Sequence, residues 1–117
     1  MPQTEEGKKP RFKHIFVVEP SGHDFEQLKQ YTGDIIFITS GYEQIEELPG
    51  KIAEALSKFN PLTDAFVPVG KLISTMIAGV TIGKILELDN WTEVWVGIYR
   101  EKDYKFMAVG EINLNAT

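Results

Sequence analysis

The sequence predicts a small α/β domain built on a short, mostly parallel sheet. Three observations carry this expectation. Apolar, β-branched runs alternate with helix-length segments, each early run closes on a glycine-bearing break, and the last two runs are joined by a short polar stretch.

Phe12–Glu19 (FKHIFVVE) is dense in β-branched and aromatic residues and reads as the first strand. Pro20-Ser21-Gly22 breaks it. Asp24 and Gln27 then stand at capping-box spacing, which predicts a short helix to about Tyr31, with Gly33 available to stop it. Asp34–Thr39 (DIIFIT) is apolar without alternation, the pattern of a second strand buried on both faces. Glu43 follows Ser40 at capping-box spacing, after the Ser40-Gly41 break. Ile45, Leu48, Ile52, Leu56 and Phe59 mark one apolar helical stripe; Pro49 suits the first turn of its main helix, behind a looser turn, and Asn60-Pro61 ends it.

Ala65–Val69 (AFVPV) is the third strand, with Pro68 at its end or at a bulge. Gly70-Lys71 lead into an apolar helix from Leu72 to about Leu86. Thr92–Tyr99 and Tyr104–Leu114 form a closing hairpin about Arg100-Glu101-Lys102-Asp103. The order is β-α-β-α-β-α-β-β. Right-handed crossovers then set the first three strands parallel with helices on both faces, a three-layer, Rossmann-like or flavodoxin-like short sheet with an antiparallel C-terminal edge strand. Residues 1–13 are expected to form a flexible polar arm and residues 14–117 a single α/β domain.

Composition excludes several classes. At 117 residues, 43% apolar and 25% charged, the chain suits one globular domain and is not a disordered segment. It has no cysteine, which removes disulfides, thiolate metal sites and cysteine nucleophiles, and fits a cytoplasmic location. The first ten residues are polar, without an apolar signal segment. Leu72–Gly83, the longest nearly uncharged apolar stretch, is far short of the roughly 20 residues that span a bilayer, so no membrane partner is expected. Of the net charge of −5, residues 1–14 carry +2 and the remainder −7. An acidic body repels phosphate backbones, which disfavours nucleic acid as a partner.

Open parallel sheets bind ligands beyond the carboxyl ends of their strands. Ser21, Gly22 and His23 follow the first strand, Ser40 and Gly41 the second, Gly70 and Lys71 the third. If these breaks share one rim, helix N-termini and Lys71 could hold a nucleotide or phosphorylated small ligand. Glycine, serine and aspartate are equally required by tight turns and caps. No phosphate fingerprint sharpens the reading: Leu72 stands where a P-loop has Ser or Thr, and Ala65 where its first glycine belongs. His23-Asp24 would serve a small hydrolase as base and orienting carboxylate, but neighbours in a tight turn rarely face one another and Asp24 already serves as a cap. His14 reads as a packed or edge residue, and two isolated histidines make no metal site. Glu46-Glu47 read as solvated charge. No cofactor is expected, and the reading leans away from an enzyme.

The third helix is apolar around nearly its whole circumference, so one sheet cannot cover it. Leu72, Met76, Gly79, Val80 and Gly83 are the candidate self-association residues, unless the hairpin or N-terminal arm covers them. On the hairpin, Trp95 and Tyr99 alternate with Val94, Val96 and Ile98, giving an aromatic face and an aliphatic face, the latter assigned to the core.

Glu19-Pro20-Ser21-Gly22-His23-Asp24, the apolar strand closing on Thr39-Ser40-Gly41, Phe59-Asn60-Pro61 with Asp64, and Val69-Gly70 before a helix and hairpin form a pattern over about residues 14–112. It resembles small uncharacterised α/β proteins of tailed bacteriophages, although the third helix here is bulkier and more β-branched than the alanine-rich version. The resemblance implies a virus-encoded accessory protein working in the host cytoplasm, with a host protein as one partner, and nothing catalytic. The function expected is non-enzymatic binding as a homo-oligomer; the alternative is a nucleotide or phosphorylated-ligand binder at the rim.

Overall fold

A computed structural model describes residues 10–20 and 24–110. Five strands, β1 (His14–Val17), β2 (Ile35–Phe37), β3 (Asp64–Val67), β4 (Glu93–Arg100) and β5 (Asp103–Gly110), form one sheet in the order β2-β1-β3-β4-β5. The β1–β2, β1–β3 and β3–β4 pairs are parallel and β4–β5 is antiparallel. This is the small α/β fold expected. Its strand order is that of a doubly wound sheet whose chain reverses between β1 and β3.

Two helices, α1 (Leu48–Leu56) and α2 (Leu72–Leu88), cover the same face. Leu48, Ile52 and Leu56 from α1 and Ala78 and Ile82 from α2 close over Phe16, Val18, Phe66 and Val94. Among the described residues the opposite face carries only a 3-10 helix, Glu26–Gln30, where the sequence pattern predicts a short helix. Leu28 and Tyr31 pack there with Phe12, Ile15, Val17, Ala65, Val67 and Tyr104. Phe12 is buried, its N–H donates to the Tyr31 carbonyl at 2.7 Å, and its ring lies 4.8 Å from that of Phe106. Phe12 is thus already packed, ahead of the expected 13/14 boundary, while residues 1–9 of the expected arm lie outside the described residues.

Pro49 lies in the first turn of α1, as expected, with a 3-10 turn, Ile45–Glu47, before it. The Gln44 N–H donates to Glu47 Oε1 at 2.8 Å, completing a capping box there. At Ser40 the anticipated capping spacing makes a turn: its N–H donates to Glu43 Oε2 at 2.8 Å while its hydroxyl accepts the Tyr42 N–H at 3.2 Å. Likewise Asp24 Oδ1 accepts the N–H of Glu26, two residues on, at 2.9 Å, and not that of Gln27.

Two burial expectations are corrected. β2 is an edge strand, with Ile35 and Ile36 half-buried and Phe37 exposed, because β3 and not β2 takes the inner place beside β1. Its unbroken apolar run serves contacts on both sides: the Phe25 ring lies 5.4 Å from Phe37, and Ile36 packs on the α1 cluster. The aliphatic face of the hairpin is only partly core. Val94 and Val96 join the α2 cluster, but Ile98, Met107 and Val109 on the same face are exposed, since no helix follows β4 to cover them. The aromatic face is covered by Phe12 and Tyr31 rather than by a regular helix.

Among the described residues no helix is long and apolar enough to cross a membrane.

Candidate functional site

Ser40, Gly41, Gly70 and Lys71 meet at the carboxyl ends of the parallel strands, as the sequence reading requires; Ser21, Gly22 and His23 lie outside the described residues. The residue that organises the meeting is Glu19, which sequence reasoning did not single out. It directly follows β1 and its neighbour Val18, and is only 4% exposed. Its backbone N–H continues the ladder to the Val69 carbonyl at 3.0 Å, so the side chain is turned into the switch point between β1 and β3.

There its carboxylate accepts the Lys71 backbone N–H at 2.7 Å and lies 3.5 Å from the Thr39 hydroxyl, which also donates to the Val18 carbonyl at 3.1 Å. Lys71 caps α2, and its ammonium reaches across to the Gly41 carbonyl at 2.6 Å. Gly70 is obligatory here. A methyl group at that position would stand 2.8 Å from both Glu19 Cγ and Val18 Cγ1, closer than real side chains come.

Beside this knot lies a cavity of about 160 Å³ lined by Glu19, Gly41, Glu43, Ile45, Leu48, Lys71, Ile73 and Ser74. Glu43 is held by two backbone donors, Ser40 and Gly41, at 2.8 and 3.0 Å. The Ser40 N–H, outweighing the small cost of burial, draws its carboxyl from the usual 4.5 down to about 2. The rim therefore presents Glu19 and Glu43 against Lys71. The α2 N-terminus, where an anion would be favoured, already holds the carboxylate of Glu19. A phosphate would have to displace or neutralise it.

A second polar cluster lies at the opposite end of the sheet. The His14 ring places Nδ1 2.9 Å from Asp64 Oδ1 and Nε2 3.4 Å from Asp34 Oδ2. Asp64 is fully buried and also accepts the N–H groups of His14 and Asn60, at 3.2 and 2.8 Å, and the Thr63 hydroxyl at 3.2 Å. Both ring nitrogens of His14 thus lie against carboxylates, and of the packed and edge places expected for it His14 takes the packed one, in the inner strand β1. The cluster ties the starts of β1, β2 and β3 together. Among the described residues no group of acids and histidines has the geometry of a metal site.

Leu72, Met76, Gly79, Val80 and Gly83 form one exposed stripe along α2, with Leu72 76%, Met76 58% and Val80 75% accessible. Neither α1 nor the hairpin covers it. Toward the hairpin the stripe borders a groove of about 400 Å³ where Gly83, Leu86 and Glu87 face Trp91, Thr92 and Gly110. The exposed Ile98, Met107 and Val109 lie on the same side of the sheet. Period-3.6 counting alone could not tell which part of this apolar helix faces out. Its buried line is Ser74, Ala78 and Ile82, flanked by the half-buried Ile77, Ile85 and Leu86, which leaves Leu72, Met76 and Val80 on the outer side.

No protein-family model, curated protein or solved structure matches this chain.

Proposed function

We propose that the chain is a non-enzymatic accessory or regulatory protein that acts by protein–protein binding and assembles with copies of itself. The observation that carries this reading is the set of exposed apolar residues on one side of the sheet, Leu72, Met76 and Val80 on α2 and Ile98, Met107 and Val109 on the hairpin. Exposed apolar groups gathered in this way mark contact surfaces. The resemblance noted above adds a host protein as a further partner and the host cytoplasm as the place of action. Size-exclusion chromatography with light scattering at high micromolar concentration tests the assembly: a mass of two or more chains is expected, and a single-chain mass throughout overturns it.

The convergence of Gly41, Gly70 and Lys71 beside the 160 Å³ cavity favours a second reading, a nucleotide or phosphorylated small ligand at the rim. The carboxylates of Glu19 and Glu43 weigh against it. A thermal upshift with a nucleotide that disappears in Lys71→Ala would support this reading, and no upshift across a nucleotide panel would remove it.

A further inference from the structure

We infer that the second copy docks on α2 itself, antiparallel, about a two-fold axis passing between Gly79 and Val80. This rests on the self-association reading above and supplies its geometry. The two glycines need an explanation that their own subunit does not give. Both lie inside a long helix, neither has a positive φ, and a methyl group added to either would meet nothing within 4 Å among the described residues. Alanine in their place would stabilise an isolated helix by about 1 kcal/mol each. Glycine is used where another backbone or a bulky side chain must come close.

An antiparallel copy meets that requirement. With the axis between Gly79 and Val80, each Val80 falls on the partner's Gly79 and each Met76 on the partner's Gly83. Two knobs enter two notches, and symmetry repeats the fit, as an isologous interface demands. Charge selects the same arrangement. The helix begins at Lys71 and ends with Glu87 and Asp89, so antiparallel packing brings the basic start of each helix to the partner's acidic end and opposes the two helix dipoles. A parallel pair would set like charges together.

The exposed surface of Leu72, Met76, Val80, Ile98, Met107 and Val109 together is on the order of 600 Å² per copy, about three quarters of the roughly 800 Å² per partner at a standard stable interface. On this face α2 packs on Val94 and Val96 but leaves Ile98, Met107 and Val109 open.

The cysteine-free chain makes a direct test available. Val80→Cys sits at the axis and is expected to form an intermolecular disulfide on mild oxidation. Leu72→Cys, about 22 Å from its mate by helical rise, is expected to form none, while Leu72→Cys with Glu87→Cys cross-links. Val80→Glu, at a position open in the single chain, is expected to give a single-chain mass with its helical circular dichroism retained. An oligomer that cross-links through Leu72→Cys alone, or that survives Val80→Glu, overturns this pairing and leaves self-association standing. A wild-type chain that is monomeric throughout removes both.

Discussion

The Lys71 backbone N–H donates to the Glu19 carboxylate at 2.7 Å, joining positions 52 residues apart at the point where the sheet reverses direction. The chain thereby supplies an anion of its own to the N-terminus of α2. Glu19→Ala strands the Lys71 N–H in a closed site and is expected to lower unfolding free energy by about 1.5–3 kcal/mol, read from urea denaturation. Glu19→Gln keeps an acceptor and should lose less.

Gly97 lies opposite Phe106 across the β4–β5 ladder, and the ring occupies the space a Cβ would fill. Gly97→Ala is expected to cost about 1–3 kcal/mol through displacement of the ring from Phe12 and Tyr31. In a Phe106→Ala background the same substitution should cost much less, and the double-mutant cycle measures that coupling.

The hairpin turns on Glu101 and Lys102, both in the left-handed region at φ 51° and 68°. A two-residue turn of this kind favours Asn-Gly, because side chains pay steric energy there. Glu101→Asn with Lys102→Gly should stabilise the protein by about 1 kcal/mol, seen as a higher thermal midpoint.

Glu43 has a folded-state pKa of about 2 against the usual 4.5, caused first by the Ser40 N–H. Its contribution is therefore present above about pH 4.5 and lost as pH falls through about 2. The group is solvent-facing, so the effect is modest. Urea midpoints measured between these pH values should fall more steeply for the wild type than for Glu43→Gln.

Periodicity and turn chemistry made the element order legible, down to Pro49 in the first turn of α1, although that helix ends at Leu56, four residues before the expected stop at Asn60-Pro61, and Ile45 lies exposed ahead of it. The convergence of Ser40, Gly41, Gly70 and Lys71 was legible because parallel strands with right-handed crossovers bring their carboxyl ends to one edge. Glu19 was not, since a lone acid closing an apolar run reads as the point where a strand meets water. Only the pairing of β1 with β3 shows that it turns inward. Asp64 was hidden in the same way: it stands just before the apolar run of the third strand, and its partner His14 lies 50 positions away in the sequence. β2 misled because an apolar run without alternation describes the side chains and leaves the strand's place in the sheet open. The exposed stripe of α2 was legible as a surplus of apolar residues, but its direction depends on which line, Ser74, Ala78 and Ile82, the sheet and α1 take up.

The placement of β1 between β2 and β3 has a kinetic consequence. The β4–β5 hairpin closes through neighbours in sequence and can form in roughly 1–10 μs, the usual scale for hairpins. β1 cannot complete its second ladder until the chain through β3 has been gathered in, with the loop-closure entropy that a long separation entails. Truncation at this seam, Val17→Ala or Val67→Ala, should therefore slow refolding, whereas changes at the Glu101-Lys102 turn should act chiefly on the unfolding limb of a chevron plot. Equal slowing by both kinds of substitution would place the two events in a single step.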